Sequence, residues 1–412
     1  MARESALSRR SVLRRGAAGL AAAFAIGSAS ADTHDASRAA PYDDTAESLR
    51  IGDLHSHTAY SDGAPDTRPA DSYATGRDGG LDFKAVTDHS EWLAAPVHGD
   101  TNCLDPTTDR RLTDCVISPT DDPDGLRKWA ATKEQAAAAT TDDYLALPGF
   151  EWSSPYQGHV VVHGTDNYAT AIETGGATMH GFWEWFTHDP ALGGGADGIA
   201  FFAHPGREPE TFEDFRYVPE TADRVVGCEV FNRDDDYFET GLARALDAGW
   251  RVGAVGSTDN HAAELYRPDR PKTVLVTPAG DAWSRETLRR TLEARRFYAT
   301  YNETLQLRLQ ADGAEMGESV TAPAGDTIQV DVDAVDPVSD AAIEAIVLYS
   351  NGATEVARTT LDSPTSSTSL TYEATVPPEG TRWYVAKVVG PDGREGPTRG
   401  SAYSSPIWLD GR

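Results

Sequence analysis

The chain of 412 residues has three cysteines, five lysines and no run approaching about 20 apolar residues beyond its first 31 positions. Three cysteines are too few for a disulfide framework. Cys103 and Cys115 flank an Asp/Thr-rich loop that an oxidising compartment would allow them to close, and Cys228, inside the apolar run VVGCEVF, is expected in a buried strand. The missing apolar run excludes a membrane-spanning helix. Lysine scarcity is one side of a charge imbalance: 65 Asp and Glu, 41 of them Asp, stand against 36 Lys and Arg, for a net charge of −29. A surface of that kind repels nucleic acid and anionic membranes. It stays hydrated in concentrated salt, which fits a halophilic source. The acids are spread through patterned sequence, so an acidic disordered tail is excluded too.

The start of the chain is the exception to this charge. Residues 1–31 carry five Arg and one Glu, so without them the net charge would be −29 − 4 = −33. The order is basic, apolar, then small: Arg9-Arg10 within SRRSVLR, an apolar stretch over 16–27, and Ala29-Ser30-Ala31. That is the pattern of a cleaved export signal of the twin-arginine type, with no cysteine behind it to carry a lipid. The expectation is a protein exported in folded form, extracellular or cell-surface. Residues 32–48 are polar and unpatterned and are expected to be a linker.

From 49 to 304 short apolar runs alternate with stretches of helical periodicity. RIGDLH, FKAVTDH, YLALPGFEW, GHVVVHG, GIAFFAHP, VVGCEVF, WRVGAVGSTD and KTVLVTP are strand candidates; PADSYATGRDG, GLRKWAATKEQAAAAT, TGLARALDAG and the stretch 283–296 are helix candidates. This alternation predicts an α/β unit of parallel strands, as a barrel or an open sheet. From 305 to 412 the pattern changes to seven short alternating runs between Gly, Pro, Asp and Asn turns, which predicts a small antiparallel β-sandwich. No histidine lies in this second unit, so it is expected to pack against the first and wall its cleft.

The histidines and several acids collect where the apolar runs of the first unit stop. GDLHSHTAYSDG supplies His55, His57 and Asp62; VTDH supplies His89; GFEW supplies Glu151; FAHPG supplies His204; GSTDNH supplies Asp259 and His261. His55 and His57, two apart on a strand, face the same side and can share one ion. Imidazole and carboxylate are the donors that zinc, manganese and iron take in water-activating sites. GHVVVHG offers His159 and His163, which share a face by parity. Asp88 would orient a neighbouring ligand, bind metal or protonate a leaving group, and Arg207 would pair with a phosphate or a surface acid. His34, His98, His180 and His188 lie in polar or aromatic surroundings and are not expected in the cluster.

The ordered series HxHTxxSDG, TDH, GxEW, GH, AHPG and GSTDNH, over about residues 50–300, resembles the PHP (polymerase and histidinol phosphatase) superfamily of metal-dependent hydrolases. The link LEARRFYATYNETLQLRLQADG and the terminal Ser405-Pro406-Ile407-Trp408 look like its exported CehA/McbA-type branch. The resemblance implies a distorted (β/α)7 barrel followed by the sandwich, and two or three divalent ions (Zn, Mn or Fe). It implies that His55, His57, Glu151 and Asp259 hold one ion. Glu151 would bridge to a second held by His159 (preferred on this ground to His163) and His204, and Asp62, His89 and His261 would hold a third. The implied activity is hydrolysis of a small-molecule ester, a phosphoester first and a carboxylic or carbamate ester second. The competing class is a non-catalytic surface-binding protein with a structural metal, which would need far fewer donors.

Overall fold

The computed structural model describes residues 41–43, 45–93, 127–233, 236–391 and 400–412. The expected export signal, most of the expected linker, His34, His98 and the Cys103/Cys115 pair lie outside the described residues. The strands are β1 (Glu47–Asp53), β2 (Phe83–Val86), β3 (Leu145–Ser154), β4 (Gly158–His163), β5 (Ile199–Ala203), β6 (Val225–Asn232), β7 (Asp236–Tyr237), β8 (Gly253–Ser257), β9 (Lys272–Pro278) and β10 (Phe297–Thr300) in the first half. They continue as β11 (Gln306–Ala311), β12 (Ala314–Glu315), β13 (Ser319–Ala322), β14 (Thr327–Val335), β15 (Ile343–Ser350), β16 (Thr354–Thr365), β17 (Ser367–Thr375), β18 (Thr381–Val389), β19 (Gly400–Ser404) and β20 (Ile407–Gly411). The helices are α1 (Pro69–Asp78), α2 (Lys128–Ala139), α3 (Met179–Thr187), α4 (Thr211–Phe215), α5 (Glu239–Asp247) and α6 (Arg285–Glu293). Among the described residues no helix is long and apolar enough to cross a membrane.

The expected (β/α)7 barrel is not what the chain forms. Among the described residues six helices accompany twenty strands, and sixteen of the strands join in a mixed sheet that does not close. Pairing is parallel for β1–β2, β2–β3, β5–β6 and β6–β8. It is antiparallel for β3–β4, β4–β5, β1–β9 and β9–β10. Two local causes are visible. Only residues 155–157 separate β3 from β4, too few for a crossover helix, so the chain turns back as a hairpin at Gly158, whose φ of +106° suits a residue without Cβ. Between β8 and β9 no backbone ladder forms: the Thr273 hydroxyl accepts from Gly256 N–H at 3.1 Å and donates to Gly256 O at 2.8 Å, standing in for the strand pair that would shut the ring.

Helix α6 shows why the helical stretches fold as they do. Ser284 caps it by accepting from Thr287 N–H at 3.1 Å, and Thr287, Leu288, Thr291 and Leu292 bury one face. The aromatic segment GFWEWF lies in α3, capped by Thr178 and burying Phe182, Trp183 and Phe186. In α4, Phe212, Glu213, Asp214 and Phe215 all have φ between 51° and 58°, a left-handed turn built without glycine.

The C-terminal strands form two facing sheets. One is β12-β11-β14-β17; the other, containing β13, β20, β18 and β19, runs on through β10 into the first half. Leu307, Leu309, Val330, Val332, Ile346, Leu348 and Val388 bury one core with Val274, Val276 and Tyr298 of β9 and β10. Tyr298 pairs with Ser404, and Ala254 N–H donates to Ser405 Oγ at 3.2 Å. Trp383 Nε1 reaches Asp247 at 2.9 Å. A fragment ending at residue 304 would therefore expose the β10 edge and half of this core. It is expected to aggregate rather than melt cooperatively; a monomeric fragment with a sharp thermal transition would contradict the shared sheet.

The few lysines are mostly interior. Lys84, Lys128, Lys272 and Lys387 are buried at 5% exposure or less, and Lys133 bonds the carbonyl of Asp166. Lys84 Nζ, for example, donates to Leu265 O at 2.5 Å beside Asp53. Four of the five lysines are thus taken up in buried contacts.

Candidate metal centre

Three strand ends are stitched together by backbone bonds. Beyond β1, Ser56 bridges to Asn260 beyond β8, with His57 N–H to Asn260 O at 2.9 Å and Asp259 N–H to His55 O at 2.8 Å. Thr87 N–H donates to Ser56 O at 2.8 Å, and Glu151 N–H to Asp88 O at 3.2 Å. These ties carry the candidate donors of four loops and strands into one place. His204 and Asp259 take positive φ, 26° and 42°, a conformation costly for residues with Cβ and found where the surroundings enforce it.

Glu151 is the hub. Its Oε1 lies 2.9 Å from His159 Nδ1, 2.9 Å from His204 Nε2 and 3.5 Å from His55 Nε2. Its Oε2 lies 3.0 Å from His89 Nδ1 and 3.4 Å from His57 Nε2. Asp259 Oδ1 adds contacts to His57 Nε2 at 3.2 Å and to His55 Nε2 at 3.5 Å. Asp62 lies 3.2 Å from His261 Nε2, 3.4 Å from His57 Nδ1 and 3.4 Å from His89 Nε2. All nine residues proposed from the sequence meet here. Four groupings have donor atoms close enough to hold an ion: His57/Asp62/His89/His261, His55/His57/Glu151, His89/Glu151/His159 and His159/His204/Glu208.

The donor chemistry fits a cation. His55 Nδ1 faces the Glu229 carboxylate at 2.9 Å, so a neutral ring keeps its proton there and turns an Nε2 lone pair inward. That lone pair meets His57 Nε2 at 3.1 Å and the oxygens of Glu151 and Asp259, all of them acceptors unless protonated. Burial alone would raise Glu151, but the charges of His89, His159 and His55 outweigh it and hold the carboxyl well below the usual range. Asp259 is held low in the same way, chiefly by His55 and His57 against its burial. Conversely, burial opposes the proton on His55 and His89, yet Glu151 above all raises both well above ordinary imidazole. His57, squeezed by burial and by the His261 charge, is pushed down to about 3. An anionic, imidazole-rich set of this kind is one for which divalent ions compete with protons.

Behind the donors stand three buried carboxylates. Asp88 accepts from Thr58 N–H at 2.8 Å, Ser61 Oγ at 2.6 Å and Thr58 Oγ1 at 2.7 Å, and so fixes the turn that presents Asp62. Both its oxygens are engaged there, and it stands in none of the groupings whose donor atoms lie close enough to hold an ion. Asp53 does the same for the β8 loop, accepting from Thr258 N–H at 3.0 Å and Thr258 Oγ1 at 2.7 Å. Glu229 accepts from His55 Nδ1, His204 N–H at 2.7 Å, Asn232 Nδ2 at 2.8 Å and the Ser257 hydroxyl.

The two histidines of β4 differ in depth. His159 touches Glu151, whereas His163 is packed against Phe201 and so close to Gly149 that a Cβ there would lie 2.5 Å from its Nδ1. Burial and the His55 charge push His163 down to about 3. His180 and His188 are exposed and outside the cluster, and Cys228 is buried in β6 as a free thiol. Arg207 donates from Nη1 to Asp259 Oδ2 at 2.8 Å and from Nη2 to Asn232 Oδ1 at 3.0 Å. Arg233, which the sequence did not single out, meets the same Asp259 oxygen at 3.1 Å. Buried donors lie on one side, and Asp62, His261, Arg207 and Arg233, between 25% and 47% exposed, lie on the other, which marks the open face.

No protein-family model matches this chain, and no curated protein matches it. Among solved structures it is similar over 26% of its length to a CARDB domain from Pyrococcus furiosus, in a solution structure (18% identity, 97% of that chain, TM-score 0.18) and in a crystal structure in complex with di-metal ions (15% identity, 90% of that chain, TM-score 0.19). At those scores the likeness carries no argument about fold or function.

Proposed function

We propose that this chain is an exported metal-dependent hydrolase that cleaves phosphate esters of small molecules. The observation that carries the reading is the meeting of five imidazoles on the two oxygens of one buried carboxylate, Glu151, with Asp259 and Asp62 alongside. A structural site needs about four donors in a closed shell; nine donors with one open face suit two or three ions of the Zn, Mn or Fe class and access for substrate. The ordered motifs that resemble the PHP superfamily support the same chemistry, although the strand arrangement departs from that family's barrel.

Bound divalent ions supply a water of lowered pKa and Lewis acidity toward ester oxygens. The chain's own residues supply the rest. His55, His57, Glu151 and Asp259 hold one position, His159 and His204 with Glu151 a second, and Asp62, His89 and His261 a third. Asp88 and Asp53 keep the loops that present them in place. Arg207, on the open face and already donating to Asp259 and Asn232, supplies positive charge and N–H groups toward an anionic substrate group. A hydrogen bond to a charged group contributes about 1.5–3 kcal/mol, so Arg207→Ala is expected to lower kcat/KM for a phosphomonoester about 10- to 100-fold. An uncharged acetate ester should lose far less. Equal losses on both would remove Arg207 from substrate binding.

The reading is tested with phosphate release from a panel of phosphoesters in high salt, set against naphthol release from carbamate and acetate esters. Metal-dependent phosphate release is the expected result. Turnover confined to the carbamate or acetate esters would replace the phosphoesterase by the ester-hydrolase reading, and no turnover with metal-independent polymer binding would replace the enzyme.

A further inference from the structure

His159 and His204 each turn one ring nitrogen to Glu151 Oε1, at 2.9 Å. Their other nitrogens look the opposite way, toward a carboxylate that sequence motifs did not single out. Glu208 Oε1 lies 3.7 Å from His159 Nε2 and 4.0 Å from His204 Nδ1. His204 is 2% exposed, and its Nδ1, like Glu208 Oε2, is shut off from solvent without a hydrogen-bond partner. A buried polar atom left in that condition is destabilising, so the functional form of the protein is expected to close the gap.

The segment that bears Glu208 is anchored for this purpose. Glu210 N–H donates to Tyr156 O at 3.0 Å and Phe212 N–H to Gln157 O at 2.6 Å, which pins it to the hairpin turn leading to His159. Gln157 Nε2 also donates to Glu210 Oε2 at 3.1 Å. Glu208 sits four residues after His204, so a rotation of one carboxylate serves both rings. An ion on the Glu208 face is the other chemistry these three residues offer. With His159 Nδ1 and His204 Nε2 committed to the Glu151 side, that ion would have to strip both imidazoles of their remaining proton. A carboxylate accepting those two N–H groups needs no such step, and it fixes which nitrogen of each ring is left as a lone pair.

We propose that Glu208 is a positioning residue for the second metal position, accepting from His159 Nε2–H and His204 Nδ1–H so that His159 Nδ1 and His204 Nε2 face Glu151 as donors. This rests on metal binding by the cluster but not on the substrate or the reaction.

The test uses the full mature chain, stripped with chelator and titrated with zinc, comparing wild type, Glu208→Ala and Glu208→Gln. Glu208→Ala is expected to weaken one zinc-binding step by about 10- to 100-fold and leave the other steps unchanged. Nitrogen-15 NMR of the zinc-loaded protein should show the Nδ1–H form of His204 in wild type and in Glu208→Gln, whose amide oxygen still accepts, and a loss of that form in Glu208→Ala. Unchanged zinc steps with an unchanged His204 tautomer would overturn the proposal. So would loss of a whole zinc equivalent in Glu208→Gln, which would make Glu208 a ligand. Melting of the metal-free forms separates these from misfolding, and a wild type that binds no zinc at all would sink the metal-centre reading itself.

Discussion

Glu151→Gln is expected to cost the protein at least one bound ion and more than about 100-fold in turnover, beyond the 10- to 100-fold that loss of an outer-sphere partner brings. The reason is geometric: one carboxylate faces His55, His57, His89, His159 and His204 at 2.9–3.5 Å, so no other donor can replace both of its oxygens. The same substitution should be visible without metal. Breaking one partner out of a buried charge set costs about 3–5 kcal/mol, and Glu151 is the main support of the raised His55 and His89. In metal-free wild type, stability should fall on acidification, as Glu151 and Asp259, held low in the fold, are driven to take up protons. It should fall again at higher pH, as His55, His89 and His261 pass through their raised values and lose theirs. Glu151→Gln should flatten that profile in chelator-treated melts. A variant with the full metal complement and the wild-type pH profile would show that Glu151 is not the hub.

Glu229→Ala carries the second largest expected effect, although Glu229 touches no ion position. It leaves His55 Nδ1, His204 N–H, Asn232 Nδ2 and the Ser257 hydroxyl without their common acceptor in a fully buried place. Buried donors left unpaired cost about 1–3 kcal/mol each, so the melting temperature should fall markedly. Freed of its acceptor, His55 can turn the wrong nitrogen inward, and metal affinity should drop about 10- to 100-fold. Glu229→Gln retains an acceptor for part of this set and should lie between the two. Metal affinity by competition with a chelating dye, together with melts of metal-free and loaded forms, checks both halves. A Glu229→Ala protein that melts lower yet binds metal as wild type would confine Glu229 to a structural role.

The site was far more legible than the fold. His55, His57, Asp62, His89, Glu151, His204, Asp259 and His261 stand in short motifs where apolar runs end, and strand ends that share a sheet must gather what they carry. His159 and His163 could not be separated by parity, because both face inward; the distinction is depth along β4, where Gly149 leaves room for a packed imidazole. Glu229 did leave a signal, a lone carboxylate inside VVGCEVF, since a charge is seldom buried without partners. Arg233 and Glu208 left none, for each lies in a loop rich in charge. The barrel expectation failed on features that apolar periodicity does not encode. A three-residue connection turned β4 antiparallel, and one threonine hydroxyl replaced a ladder between β8 and β9. The sheet that crosses from β10 to β19 was hidden for a similar reason, because pairing between distant strands is set by edges and not by local pattern.

The central claim is that nine side chains build a multinuclear hydrolytic centre around Glu151. It is tested most directly by counting metal per chain in the purified protein and following phosphoester turnover as chelator removes that metal and zinc or manganese restores it. Two or three ions per chain, with turnover lost and regained in step, is the predicted result. Fewer than one ion per chain, or turnover indifferent to its removal, would contradict it.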